Sequence, residues 1–170
     1  MSARVEADDW VYEMFPKDTP PDACGSFASF KRLWDSKRKG EALPAWKDYQ
    51  LEDFADWYGW INVEDIMPGE PFDTVQRVWG TNLTTAFGKD QTGVRMREMK
   101  GSVYSDTDFD MRTKMVETHD FRICYGPANW SAQESWKKTQ KQSYIELPLA
   151  DDGHTVDKFI ALTLLTYPDE

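Results

Sequence analysis

The stretch FDTVQRVWGTNLTTAFGKDQTG, from Phe72 to Gly93, holds three kinds of local structure in 22 residues. Phe72 to Trp79 is short and rich in β-branched and aromatic residues, which predicts a strand. Gly80 breaks it. Thr81 or Asn82 can cap the turn of helix that follows, which carries Leu83, Ala86 and Phe87 on one face, and Gly88 stands where a left-handed C-terminal cap belongs. Asp90 and Gly93 suit the next turn. A phosphate-cradling loop needs glycine five residues before Gly88 and a hydroxyl residue after Lys89, but Leu83 and Asp90 occupy those positions. The glycines are therefore read as structural.

Composition narrows the field. A chain of 170 residues is one domain's worth, enough to bury roughly two thirds of its unfolded surface. Its formal net charge of −10 argues against nucleic acid, whose backbone calls for clustered Lys and Arg, and against anionic membranes. Met1 to Trp10 has no secretory pattern, and no run reaches the roughly 18 apolar residues of a spanning helix, so a cytoplasmic location is expected. Cys24 and Cys124 are isolated and read as reduced thiols. The glycosylation-like triplets at Asn82 and Asn129 are then chance matches.

Residues 1–25 are acidic and punctuated by Pro16, Pro20 and Pro21, an arm whose Trp10, Tyr12 and Phe15 suit docking on the body or on a second copy. Residues 26–170 read as one domain. Ser26 caps a predicted helix with Phe27, Phe30, Leu33 and Trp34 at helical spacing and Gly40 past its end. Lys37, Arg38 and Lys39 fall in its last turn, where the helix dipole favours cations more plainly than an anion site does. Leu43-Pro44-Ala45 breaks the chain before a second predicted helix, Asp48 to Trp57. Strands are expected at Trp60–Ile66, Phe72–Trp79, Phe121–Tyr125, Trp136–Leu149 and Phe159–Leu165, with a helical stretch carrying Met111, Met115 and Val116 in between. The run Phe159–Leu165 is apolar on both faces and belongs at the sheet centre. Two strands, a helical middle and three strands make an antiparallel α+β domain.

Arg77-Val78-Trp79-Gly80-Thr81, Phe87-Gly88, Asp90 and Thr92-Gly93 resemble, in order and spacing, the signature of a proteobacterial subgroup of stand-alone PAS sensory domains. The helix, Leu-Pro-Ala break and second helix resemble that subgroup's entry; an Arg commonly follows the Ala there, and Trp46 stands in its place. The resemblance covers roughly Phe27 to Leu165. It implies a PAS-like five-stranded antiparallel sheet with its last strand central, helices over one face and an N-terminal helical extension. Such domains commonly dimerise through that extension, which makes Phe27, Phe30 and Trp34 expected interface residues. Trp79, Phe87, Tyr125 and Tyr144 are the expected pocket lining. Arg77, sharing strand parity with Trp79, is the expected polar group orienting a ligand. The resemblance also makes His119 a candidate haem ligand, while the flavin-attaching Asn-Cys-Arg segment is absent, so no cofactor is specified.

Other constellations carry less. Asp106, Asp108, Asp110 and Glu117 stand at positions 1, 3, 5 and 12 of a calcium loop, but Met111 replaces the required glycine, and an acidic helix entry is the simpler reading. His119, Asp120 and Cys124 are near neighbours without evident convergence. His154 falls in the predicted turn Asp151–His154. Glu64-Asp65 and Asp151-Asp152 cannot flank one substrate, because adjacent strand residues face opposite ways. The expected protein is a non-enzymatic sensory or regulatory module, homodimeric, binding a small molecule in an apolar pocket and signalling to another protein, since no kinase, cyclase or DNA-binding segment is present. The alternatives are a ligand-free interaction module whose aromatics fill the pocket, and a cone-shaped α+β enzyme resembling ketosteroid isomerase.

Overall fold

The computed structural model describes residues 1–99, 105–128 and 140–166. Among these residues seven strands form one antiparallel sheet in the order β1-β2-β5-β6-β7-β3-β4. They are β1 (Ala3–Ala7), β2 (Trp10–Phe15), β3 (Ile61–Ile66), β4 (Thr74–Trp79), β5 (Phe121–Pro127), β6 (Lys141–Leu149) and β7 (Lys158–Thr166). Among the described residues three α-helices accompany them: α1 (Ala28–Lys37), α2 (Thr81–Phe87) and α3 (Asp106–Thr118). None of the helices described is long and apolar enough to cross a membrane.

The apolar run of β7 lies between β6 and β3, paired along its length with β6 and from Lys158 to Leu162 with β3. Burial on two faces from Phe159 to Thr163 explains its continuity, and burial falls off from Leu164 to the exposed Thr166. The expected strand from Trp136 begins at Lys141, and residues 136–139 lie outside those described.

The sheet has seven strands rather than five because the N-terminal arm is a hairpin. Asp8 and Asp9, both at positive φ, make its two-residue turn, and Trp10, Tyr12 and Met14 alternate inward on β2. Proline is confined to the segment after it. β2 then pairs with β5, Tyr12 standing opposite Cys124.

Helices cover both faces. On one, α1 seats Phe30 and Trp34 in the core, with Phe27 just before it; the Trp34 indole donates to Pro148 O at 2.9 Å, and Lys31 lies 5.3 Å from the Phe121 ring centroid. On the other, α3 reaches Arg122, the next residue of β5, through Asp108. A 3-10 segment, Pro21–Phe27, leads into α1, and Ser26 is not its cap. The second predicted helix is a pair of short 3-10 turns, Trp46–Asp48 and Leu51–Phe54. The carboxylates of Asp48 and Asp53 accept from the backbone N–H groups of Ala45 and Gln50 at 3.0 and 2.8 Å, which closes each turn locally.

Between β4 and α2, neither Thr81 nor Asn82 caps the helix by its side chain. Instead the backbone N–H groups of Asn82 and Leu83 donate to Gly59 O at 3.0 and 3.2 Å. A Cβ on Gly80 would run into that same Gly59 carbonyl, so Gly80 is what lets the β3 entry reach the helix start. Gly88 ends α2 at φ 79° in the left-handed cap the sequence called for.

Candidate functional site: a cavity between the sheet and helices α2 and α3

Strand register decides which side chains share the face beneath α2 and α3. Tyr144 of β6 stands opposite Thr163 of β7, Glu146 opposite Ala161, Ala161 opposite Asn62, and Asn62 opposite Trp79. These residues line a cavity with Trp10 and Tyr12 of β2, Leu83 and Phe87 of α2, and Asp108 and Arg112 of α3. Phe87 meets Trp79 edge-on, the ring centroids 4.9 Å apart. At the far side the Trp10 ring crosses Gly126, where a Cβ would lie only 2.5 Å from it. The open space, mouth included, is about 550 Å3, but only about 40 Å3 admits the centre of a water molecule. That is room for about three waters, or for a ligand of that size.

The cavity floor is charged. Glu64, Asp108 and Glu146 meet Arg112 and Arg122, all five buried. Arg112 Nη1 lies 2.6 Å from Glu64 Oε2, and its Nε lies 3.4 Å from Glu146. Arg122 donates to Glu146 at 2.6 and 2.8 Å and pairs with Asp108. Glu64 also accepts from Gln76 Nε2 at 2.7 Å and Thr74 Oγ1 at 3.0 Å. Buried charges persist only when paired and hydrogen-bonded in this way.

Burial raises the Glu64 carboxyl above its ordinary range; Arg112 pulls it down, and Glu146 adds to the rise. Burial works against the Arg112 charge, but Glu146, Glu64 and Asp108 together hold that guanidinium protonated. Arg122 is held the same way by Asp108 and Glu146. Burial pushes Tyr12 up to about 12 and Tyr144 well above its usual value, so both hydroxyls stay neutral. Both Glu64 oxygens are engaged in hydrogen bonds, which weakens Glu64 itself as a proton acceptor. Several buried lining atoms have no hydrogen-bond partner among the described residues: the indole Nε1 atoms of Trp10 and Trp79, and the carboxylate oxygens Oδ1 of Asp108 and Oε1 of Glu146, which hold ion pairs with Arg122 and Arg112.

Of the six residues expected to bind ligand, Trp79, Phe87 and Tyr144 come together here. Arg77 does not. A register shift at Val63/Glu64 pairs Val78 with Val63 and Gln76 with Glu64, so Arg77 is the extra residue of a bulge and its parity with Trp79 is broken. It is exposed and pairs with Asp65 at 3.0 Å. Tyr125 alternates with Cys124 onto the opposite face, where it accepts from Arg4 at 3.0 Å and donates to Glu13. His119 ends α3 at φ 64°, away from the cavity lining.

Phe27, Phe30 and Trp34 are 3%, 2% and 1% exposed, so intrachain packing already takes the surface an interface would need. Asp106, Asp108, Asp110 and Glu117 all lie within the continuous helix α3, not in a loop, and no group of three potential metal ligands occurs among the described residues. The basic triplet is spent on carboxylates, Lys37 on Asp53, Arg38 on Asp18 and Lys39 on Asp48.

Sequence reasoning missed Trp10, Tyr12, Glu64, Asp108, Arg112 and Glu146. The alternation Trp10, Tyr12, Met14 was a signal for β2, and Gln142, Tyr144 and Glu146 marked a second, polar face of β6 that Ile145, Leu147 and Leu149 overshadowed. Nothing local joined Glu64 to Arg112, 48 residues away. No protein-family model matches the chain, and the searches of curated proteins and of solved structures gave no match either.

Proposed function

We propose that this chain is a PAS-like sensory or regulatory module that holds a small molecule between its sheet and helices α2 and α3, and signals by contact with another protein. The observation that carries this reading is the cavity, which gathers Trp79, Phe87 and Tyr144 from three elements around two indole donors that lack acceptors. The order β5-β6-β7-β3-β4, with the chain's last strand in the middle, supports the PAS-like reading; β1 and β2 extend it at the β5 edge. The site is amphipathic, with aromatic walls over a charged floor, and its function is binding rather than turnover. Trp10 and Tyr12 link the cavity to the N-terminal hairpin, whose β1 is the exposed edge of the sheet. An occupied cavity thereby has a route to a second copy or to a signalling partner in the cytoplasm.

A native mass spectrum and an absorption spectrum of the gently purified protein test this. The expected result is a dimer carrying added mass that is lost on denaturation. A bare polypeptide mass overturns it in favour of a ligand-free interaction module, the reading that the narrow space beneath Trp79 and Phe87 favours.

A further inference from the structure

The two edges of the sheet differ. At the β4 edge Gln76 is covered: its N–H donates to Val94 O at 3.1 Å, its C=O accepts from the Gly93 N–H at 2.7 Å, and Val75 bridges to Arg95. The β1 edge is bare. Ala3 to Glu6 are exposed, and β1 pairs with β2 alone among the described residues. Register fixes which backbone groups are free there. The two-residue turn Asp8-Asp9 makes Ala7 and Trp10 a hydrogen-bonded pair, and such pairs alternate with non-bonded ones along an antiparallel ladder. Val5 therefore bonds to Tyr12, while Arg4 and Glu6 turn their N–H and C=O groups outward. No other backbone group among the described residues takes them up.

Resting on the contact-signalling half of the reading above, we infer that β1 pairs antiparallel with β1 of a second copy, about a two-fold axis through Val5, so that one continuous sheet runs across a homodimer. The outward groups of Arg4 then bond to those of the partner's Glu6, and the outward groups of Glu6 to those of the partner's Arg4. Charge selects both this occupant and this register. Each Arg4 side chain stands opposite a Glu6, and opposite charges in such cross-strand positions stabilise the pairing. An axis at Arg4 would set Arg4 against itself, and an axis at Glu6 would set Glu6 against itself, which is destabilising. Charged side chains ordinarily keep edge strands apart. Here they oppose the neighbouring registers and favour the one about Val5. Within the single chain Arg4 Nη2 holds Glu6 Oε1 at 3.0 Å, an exposed pair that exchanges for the partner's carboxylate at little cost. Val5, 38% exposed, meets the partner's Val5 at the axis and gains apolar cover. A five-residue strand buries little, so the pairing is weak and reversible. Tyr12, the residue bonded to Val5, lines the cavity, which connects its state to this edge.

The test is sedimentation equilibrium of the full chain over a concentration series, with amide exchange in β1 followed at the two ends of that series. A reversible dimer is expected. The Arg4 and Glu6 amides should slow as concentration rises, while the Val5 amide, already bonded to Tyr12, changes little. Glu6→Pro removes an outward N–H and spares the β1–β2 ladder, so it should abolish the dimer. Arg4→Glu and Glu6→Arg should each weaken self-association about tenfold, and mixing the two variants should restore it, because each supplies the charge the other lacks. A dimer that survives Glu6→Pro, or one whose Arg4 and Glu6 amides stay fast, overturns the inference and leaves dimeric signalling to another surface. A chain that is monomeric at every concentration also overturns it, and leaves the signalling contact to a different protein. Should Glu6→Pro unfold the hairpin, the exchange of the wild-type amides decides the matter. The cavity is judged separately by bound mass, which none of these outcomes alters.

Discussion

Glu64 illustrates at the scale of one residue how burial and pairing compete. Desolvation raises its carboxyl above the ordinary 4.5 even though Arg112, Gln76 and Thr74 all favour the charged form. The native state therefore holds a proton that the unfolded chain has released, across the window from about pH 4.5 up to the raised native value. Stability from this group is full below that window and is lost as pH climbs through the native value. Urea midpoints of the wild-type chain should carry this falling component, and Glu64→Gln should remove it; identical slopes in the two proteins would count against the assignment. A second residue-scale test concerns Gly126, over which the Trp10 ring lies. Gly126→Ala should lower stability by about 1–3 kcal/mol, as overpacking does, and should perturb the Trp10 indole resonance. An unchanged urea midpoint would show that the ring moves aside freely.

At the scale of elements, helix α3 is tied to the sheet through charge as well as through Met111 and Met115. Arg112 joins it to β3 through Glu64, and Asp108 joins it to β5 through Arg122. Removing one partner of such a set leaves an uncompensated buried charge. Arg112→Met is therefore expected to cost about 3–5 kcal/mol, and to speed amide exchange in α3 before it does so in β6 and β7. Uniform acceleration across the sheet would mean that the network holds the whole fold rather than the helix. The N-terminal hairpin is bound differently, by backbone pairing to β5 and by Trp10 and Tyr12 in the core. That is why an acidic, exposed β1 still reads as part of the body.

At the scale of the whole molecule, the two thiols report on cooperativity. Cys24 and Cys124 are free and buried, and burial raises both, Cys124 to about 12. A thiol reagent at neutral pH should label neither in the native protein and both in denaturant, with Cys24 reacting first because it lies in a short 3-10 segment outside the sheet. Rapid native labelling of Cys124 would show that the sheet opens around it. The distribution of helices over both faces has a related consequence: the α1 face is filled with Phe27, Phe30 and Trp34, so the open space lies on the α2 and α3 side.

Sequence alone determined the strands from β3 to β7, the central place of Phe159–Leu165, the turn of helix at 81–87 and its left-handed Gly88 cap. Each follows from local rules: side-chain period, β-branching, and the backbone freedom of glycine. Among the site residues, Trp79, Phe87 and Tyr144 were legible because aromatics on a sheet and its covering helix converge whenever the elements are placed correctly. Tertiary structure alone decided the rest. A one-residue bulge turned Arg77 away from the cavity, and alternation from Cys124 sent Tyr125 to the other face. The Glu64, Arg112, Asp108, Arg122 and Glu146 cluster joins four elements, β3, α3, β5 and β6, and each member alone looks like a solvated surface charge. Their burial depends on partners that only the folded sheet brings within hydrogen-bond reach, since no buried charge is stable without them.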